Sequence, residues 1–213
     1  MFPPANDLIA LLGINLVLSA GCLRLLSSGR GIRPWTRWAT AAVFVLLWCP
    51  VGSGGLPVVA YVRGVSSDLS ISLVAVACLG MYQRLRGIPM AAQRERMSVN
   101  LAFAAGAVFL YPLALGWSDW DAYGLGWGTW TLWIALLALS LACWVEGFRL
   151  LPVLLALAML AWVVGALEST NLWDYLIDPW LAVAAIYQCI KSAIGSGFSR
   201  LRGTRQSAMT SSA

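Results

Sequence analysis

The chain has 213 residues, of which 60% are hydrophobic and 11% are charged, and its formal net charge is +5. A mean hydropathy of +0.78 and a charged fraction far below the roughly 25% of soluble domains exclude a soluble globular fold. The absence of histidine excludes haem ligation by His, zinc proteolysis through His-Glu-x-x-His and catalysis by Ser-His pairs.

The five cysteines show no Cys-x-x-Cys spacing, and all of them lie in apolar runs. This pattern is typical of small buried side chains, so we predict neither a disulfide framework nor a metal site, and no cofactor. The basic residues do not interleave with aromatic residues in a soluble segment. No nucleic-acid partner is therefore expected.

The apolar residues form runs that are hydrophobic all round, which indicates membrane spans and not an amphipathic bundle. A bilayer is crossed by about 20 helical residues, and seven runs approach this length: residues 8–26, 37–62, 69–83, 98–117, 127–146, 150–167 and 179–194. We predict an all-α integral membrane protein, a polytopic bundle of seven transmembrane helices that forms one domain over residues 1–194. Six spans, with the second or third run re-entrant, is the alternative.

The first run follows MFPPANDL, which lacks the basic segment that opens a signal peptide, so we expect a retained helix. The second run is broken in its outer half, because prolines and glycines there interrupt a regular helix. Broken backbone at membrane depth is tolerated where it is buried in protein or lines a wet cavity. An outward-open cavity beside Arg63 is one hypothesis and a tight helix crossing the other; the break comprises Pro50, Gly52, Ser53, Gly54, Gly55 and Pro57.

The charged residues predict an orientation for these spans. Thirteen of the fourteen basic residues fall in alternate connecting segments of the seven-span arrangement, and these segments share one side of the membrane. The positive-inside rule assigns that side to the cytoplasm. The N-terminus is then outside and the C-terminus cytoplasmic. The acidic residues segregate the opposite way, and those expected outside are Asp7, Asp68, Asp119, Asp121, Glu168, Asp174 and Asp178.

Several of these acids occupy positions that suit the start of a helix. The predicted caps are Asp178 before Pro179, Asn171 ahead of Asp174, the pair Ser67-Asp68, and Ser118 ahead of Asp121. The outer tryptophans and tyrosines are typical of the aromatic belt at a membrane interface. Local structure and lipid therefore explain much of the outer face without a ligand.

Arg63 is the sole basic residue of the predicted outer face. A salt-bridge anchor is the favoured interpretation, and an anchor for a ligand phosphate or carboxylate is the alternative. Glu168 follows the sixth run, where the C-terminus of a helix disfavours an anion. No catalytic residue is identified, and the candidate ligand- or partner-binding residues are Arg63, Asp68, Asp119, Asp121, Glu168 and Asp174.

Residues 195–213 are rich in Gly, Ser and Thr with scattered Arg, which predicts a disordered basic cytoplasmic tail held near anionic headgroups. The chain has one Lys and thirteen Arg, and it is rich in Ala, Gly, Leu and Trp. This bias suggests a GC-rich bacterial genome and hence the bacterial inner membrane.

No predicted span carries a central charged residue, which weakens the case for a proton- or ion-driven pump. The sequence favours a non-enzymatic accessory or scaffold component of an envelope lipid or glycan pathway, in contact with the bilayer and, on its outer face, with a membrane protein, lipid or glycan. A small-solute or ion transporter or channel that uses the broken second span is one alternative. An outward-facing, carboxylate-dependent transferase acting on a lipid-linked substrate is another.

Overall fold

The computed structural model describes the backbone of residues 5–27 and 33–210, with side chains as far as residue 195. Of these described residues, 74% are helical, which confirms the prediction of a helical protein. The α-helices of the described ranges are α1 (Ala5–Leu26), α2 (Pro34–Leu46), α3 (Val58–Ser66), α4 (Ile71–Arg86), α5 (Gln93–Ala114), α6 (Trp130–Val145), α7 (Leu150–Val163), α8 (Leu172–Leu176) and α9 (Pro179–Thr210). The same ranges contain a 3₁₀ helix, Tyr123–Gly126, and the strands β1 (Pro50–Val51) and β2 (Leu56–Pro57).

Two of the described helices, α1 and α5, are long and apolar enough to cross a membrane, with 22 residues each and mean hydropathies of 2.0 and 1.6. At a rise of 1.5 Å per residue each is about 33 Å long, whereas the hydrocarbon core of a bilayer is about 30 Å thick. The apolar helices α6 and α7 have 16 and 14 residues and are shorter than that core. The seven-span bundle is therefore not confirmed, although each predicted run contains a helix.

The second predicted span is two helices separated by a β-hairpin. Helix α2 ends at Leu46, and strands β1 and β2 pair antiparallel, Pro50 opposite Pro57 and Val51 opposite Leu56. The connecting turn uses the positive φ angles of Gly52 (70°) and Gly55 (59°), which glycine adopts at little cost. The amide of Val59 donates to the carbonyl of Leu47 at 3.0 Å, so the start of α3 lies beside the end of α2.

Helix α1 is the centre of one half of the molecule, because it packs against α2, α3 and α4. Ile14, Val59 and Leu69 form a small buried cluster that joins these helices. In the other half α5 packs along α9, and α7 contacts α4, α5, α6 and α8. A larger core that includes Phe103 and Tyr175 fills this half.

Asn15 is a fully buried polar side chain of α1. Its amide nitrogen donates to the backbone carbonyl of Phe44 in α2 at 2.9 Å, and its oxygen accepts from the hydroxyl of Ser19 at 3.1 Å. A buried amide is tolerated when its donors and acceptors are paired. The side chain of Asn15 thus joins α1 to a neighbouring helix.

Helix α9 extends past the last predicted span, and its backbone is helical as far as Thr210. The composition of residues 195–213 predicts disorder, so the structure differs from the prediction over residues 195–210. Arg, Gln and Ala have good helix propensity, and a helix already begun extends at little cost. The side chains of residues 196–210, which include the basic ones, and all of residues 211–213 lie outside the described part.

Candidate functional site

Arg63 lies in the last turn of α3, where its guanidinium is bound by three carboxylates. The Nη1 atom lies 2.8 Å from Oδ1 of Asp7, Nε lies 2.6 Å from Oδ1 of Asp68, and Nη2 lies 3.0 Å from Oε1 of Glu168. Each of the three guanidinium nitrogens thus has its own acid. Contacts of this kind are charge-assisted and stronger than hydrogen bonds between neutral groups.

The three carboxylates come from separate segments: Asp7 from the first turn of α1, Asp68 from the loop between α3 and α4, and Glu168 from the loop between α7 and α8. The hydrogen bonds that Arg63 donates to Asp68 and Asp7 raise its pKa above the ordinary range, although burial opposes them. We call Arg63, Asp7, Asp68 and Glu168 the outer salt-bridge cluster, after the predicted outer face. Of the candidate site residues, Arg63, Asp68 and Glu168 are brought together.

Asp174 lies apart from Arg63 and has its own hydrogen bonds. Its Oδ2 accepts from the hydroxyl of Tyr123 at 2.9 Å and from the hydroxyl of Ser169. Burial, and secondly the hydrogen bond to Asp174, raise the pKa of Tyr123 to about 12. Glu168 therefore meets Arg63 and Asp174 does not, because Asp174 is held by α8 against the 3₁₀ helix.

The five-residue helix α8 lies between α7 and α9 and is held by side-chain hydrogen bonds. Asn171 is its N-cap, as predicted, and accepts from the amide of Trp173 at 2.9 Å while its own amide donates to the carbonyl of Tyr123 at 3.0 Å. The indole of Trp173 donates to Ala122 O at 3.1 Å. These bonds hold α8 to the loop between α5 and α6.

Asp178 is buried before α9, where its two oxygens accept from the amides of Ser70 and Leu181, each at 2.8 Å. This confirms Asp178 as the cap of the last predicted span. The predicted Ser67-Asp68 cap of the third span is wrong. Ser70 caps α4 instead, accepting from the amide of Leu73 at 3.1 Å, because Asp68 is drawn to Arg63.

The loop before the 3₁₀ helix holds the last two candidate acids. Asp121 accepts from the amide of Gly124 at 2.8 Å, so it fixes a local turn. Asp119 is exposed and has no hydrogen bond or ion pair within the described residues. Its neighbours Trp117 and Trp120 are also exposed, and Trp120 makes an edge contact with Phe109 at a centroid distance of 5.6 Å. We call Trp117, Asp119 and Trp120 the WSDW surface.

The break of the second span forms a hairpin at the surface of the described part of the molecule. Its residues 50–56 are exposed, and the hydroxyl of Tyr61 donates to the carbonyl of Val51 at 3.0 Å along its flank. A cavity of about 130 Å³ lies between α1 and α4 instead, with an apolar lining that includes Ala10, Gly13 and Val74. The described residues therefore give no support to a wet cavity at Pro50, Gly52, Ser53, Gly54, Gly55 and Pro57.

The sequence carries no local signal for the pairings among these loop residues. Asp7 was not a candidate site residue, yet it binds Arg63 across 56 positions of the chain, and Tyr123 binds Asp174 across 51 positions. Among the described residues no group of three or more His, Cys, Asp or Glu side chains is placed to hold a metal ion. Neither a family model, nor a curated protein, nor a solved structure matches the chain.

Proposed function

We propose that the chain is a multi-pass protein of the bacterial inner membrane, with seven spans, the N-terminus outside and the C-terminus in the cytoplasm. In this proposal it acts without catalysis, as an accessory or scaffold component of an envelope lipid or glycan pathway. Its outer face binds a membrane protein partner or an envelope lipid or glycan.

The apolar exterior of the helices supports the membrane environment. Only 33% of the apolar window of α1 and 28% of that of α5 is buried, whereas the central helix of a soluble protein is mostly buried. Large apolar side chains in the middle of helices are exposed, among them Leu101, Val108, Ile134 and Leu160. A soluble monomer rarely exposes such a continuous apolar surface, and lipid covers it without cost.

The distribution of charge supports the orientation. The outer salt-bridge cluster joins the start of α1 to the end of α3 and the end of α7. Arginines occur at the opposite helix ends, where Arg37 of α2 donates to the carbonyl of Leu85 in α4 at 3.1 Å. Acids at one end and arginines at the other are expected when the second end faces the cytoplasm.

The contacts of Arg63 are the observation that carries the scaffold proposal. Because three carboxylates bind the guanidinium, Arg63 is engaged in holding segments together and is not presented to a ligand phosphate. Asp121, Asp174 and Asp178 are likewise engaged with protein donors. The WSDW surface is then the part of the outer face best suited to a partner, because exposed tryptophans are the residues that dominate binding interfaces.

The same contacts weaken the alternatives. A transferase on a lipid-linked substrate needs acids or an arginine free to meet the substrate, and the outer salt-bridge cluster uses Arg63, Asp68 and Glu168 internally. A transporter that binds its solute at the broken span needs that break to face a cavity, and residues 50–56 are exposed.

Site-specific photo-crosslinking in native membranes tests the proposal. A photoreactive amino acid at Trp117 of the tagged full chain should give one discrete crosslinked protein, and Asp119→Asn should reduce its yield. The matched control is the same photoreactive residue at Val65, which is 91% exposed at the outer end of α3 but outside the WSDW surface. Crosslinks to lipid alone, or the same product from both positions, would contradict a protein partner at this surface.

A further inference from the structure

Arginines from several helices converge on the last turn of α4, at the end of the molecule opposite the outer salt-bridge cluster. Arg84 of α4 is half-buried, and its Nη1 donates to the hydroxyl of Ser27, just after α1, at 3.5 Å. Arg24 lies in the last turn of α1, three positions before Ser27. The ends of α1 and α4 are therefore in contact, and Arg24 and Arg84 lie in the last turns of these two helices.

A third arginine reaches the same turn from α5. Nη2 of Arg96 donates to the side-chain oxygen of Gln83 at 2.8 Å, and Gln83 is the neighbour of Arg84. Arg37 of α2 also reaches this turn, but it donates to the carbonyl of Leu85 at 3.1 Å and so has a partner in the negative C-terminal end of the helix. The hydroxyl and amide bound by Arg84 and Arg96 are neutral and compensate no charge.

Arg24, Arg84 and Arg96 have no carboxylate partner within the described residues. The two acids of this end are engaged elsewhere, since Glu95 accepts from the amide of Arg149 at 2.7 Å and Glu146 lies 4.0 Å from Arg94. Burial, and then the charges of Arg24 and Arg96, lower the pKa of Arg84. A half-buried cation beside two like charges is unfavourable until an anion joins it.

We propose that Arg24, Arg84 and Arg96 form a binding site for a phosphate-bearing anion, either the headgroup of an anionic lipid or a soluble phosphate. Guanidinium groups suit phosphate because their N–H donors match its oxygens in pairs. Basic pockets between helices at the cytoplasmic surface hold anionic headgroups in this way. That the phosphate belongs to a lipid headgroup rests on the proposed membrane function, whereas recognition of phosphate itself does not.

The test uses the purified full chain in non-ionic detergent micelles. Dioleoylphosphatidylglycerol, dioleoylphosphatidylcholine and inorganic phosphate are added separately, and bound ligand is counted by native mass spectrometry while the thermal unfolding midpoint is followed. Arg84→Gln and Arg24→Gln should each weaken anion binding about tenfold, the loss expected for one charged hydrogen-bonding group. Arg149→Gln is the matched control, because Arg149 lies at the same end but stacks on Trp144 with its guanidinium carbon 4.0 Å from the ring centroid.

Each outcome decides the question. Binding of phosphatidylglycerol alone identifies a lipid headgroup, binding of phosphate alone identifies a soluble anion, and binding of both identifies phosphate recognition in general. Without ligand, Arg84→Gln should leave the unfolding midpoint unchanged or raise it, because it removes like-charge repulsion. Equal loss in Arg149→Gln, or no preference for either anion over phosphatidylcholine, would overturn the site. Cysteine labelling tests the membrane topology separately, so failure of the topology and failure of the anion site are distinguishable.

Discussion

Arg63 joins segments of the chain that local structure cannot bring together. Its side chain has 19% of its surface exposed, and those of Asp7 and Asp68 have 25% and 15%, so water screens these contacts only in part. Glu168 is 63% exposed. The bonds to Asp7 and Asp68 should therefore contribute more to stability than the bond to Glu168.

Arg63→Gln should lower the free energy of unfolding by about 2–3 kcal/mol, because it leaves three carboxylates facing one another without a cation. Glu168→Gln should cost less than about 1 kcal/mol, as exposed ion pairs do. Denaturant-induced unfolding in micelles measures both values. Equal effects of the two substitutions would show that the cluster does not hold the segments as described.

Tyr123 should ionise near pH 12, since burial and the hydrogen bond to Asp174 raise its pKa to about 12. Between the ordinary tyrosine pKa of about 10 and that value, the folded chain keeps a proton that the unfolded chain releases. The stability that neutral Tyr123 contributes is thus fully present below about pH 10 and is lost as pH rises through the folded pKa. Phenolate absorbance, with Tyr123→Phe as the reference, measures the ionisation.

Asp174→Asn provides the matched variant for this titration. It removes the charged acceptor but leaves Tyr123 half-buried, so the pKa of Tyr123 should fall only part of the way towards its ordinary value. A pKa of Tyr123 near its ordinary value in the unsubstituted chain would contradict the burial of this hydroxyl.

At the scale of elements, α8 depends on close contact with the 3₁₀ helix. A Cβ at Gly126 would collide with the side-chain oxygen of Asn171 and with the ring of Trp173. Asn171 and Trp173 both donate hydrogen bonds to backbone carbonyls at the start of the 3₁₀ helix, so neither side chain can move aside easily. Glycine at position 126 therefore lets Asn171, the N-cap of α8, approach the 3₁₀ helix.

Gly126→Ala should therefore destabilise the chain by about 1–3 kcal/mol, the cost of inserting a methyl group into a well-packed contact. Gly21→Ala is the control, since a Cβ there meets no atom within 4 Å and alanine is favoured over glycine in a helix. Thermal unfolding of the two variants should shift in opposite directions. A neutral Gly126→Ala would mean that α8 can move away from the loop.

The hairpin between α2 and α3 shows that the place of an element can be predicted from sequence while its surroundings cannot. Prolines and glycines predict the break near Gly52 and Gly55, because they interrupt a helix wherever they occur. Whether a cavity or a tight helix crossing lies there depends on what packs beside the break. In the structure Tyr61 lies along the hairpin and the other side remains exposed.

At the scale of the whole molecule, most acids of the described residues lie at one end and most arginines at the other. The proposed orientation predicts how labels reach each end. In a variant without native cysteines, Ser118→Cys should react with an impermeant maleimide in sealed right-side-out vesicles. Gly147→Cys, in the loop between α6 and α7, should react only after permeabilisation. Labelling of both positions from one side would contradict a span between them.

The sequence by itself determined the helical class, the places of the helices and the segregation of charge. These properties are local or additive, because a long apolar run favours a membrane span and a proline interrupts a helix whatever packs beside them. Only the tertiary structure decided that Arg63 binds Asp7, Asp68 and Glu168, and that Asp174 binds Tyr123 instead. Such pairings depend on which helices pack together and at what height, and a single sequence carries no local signal of that arrangement.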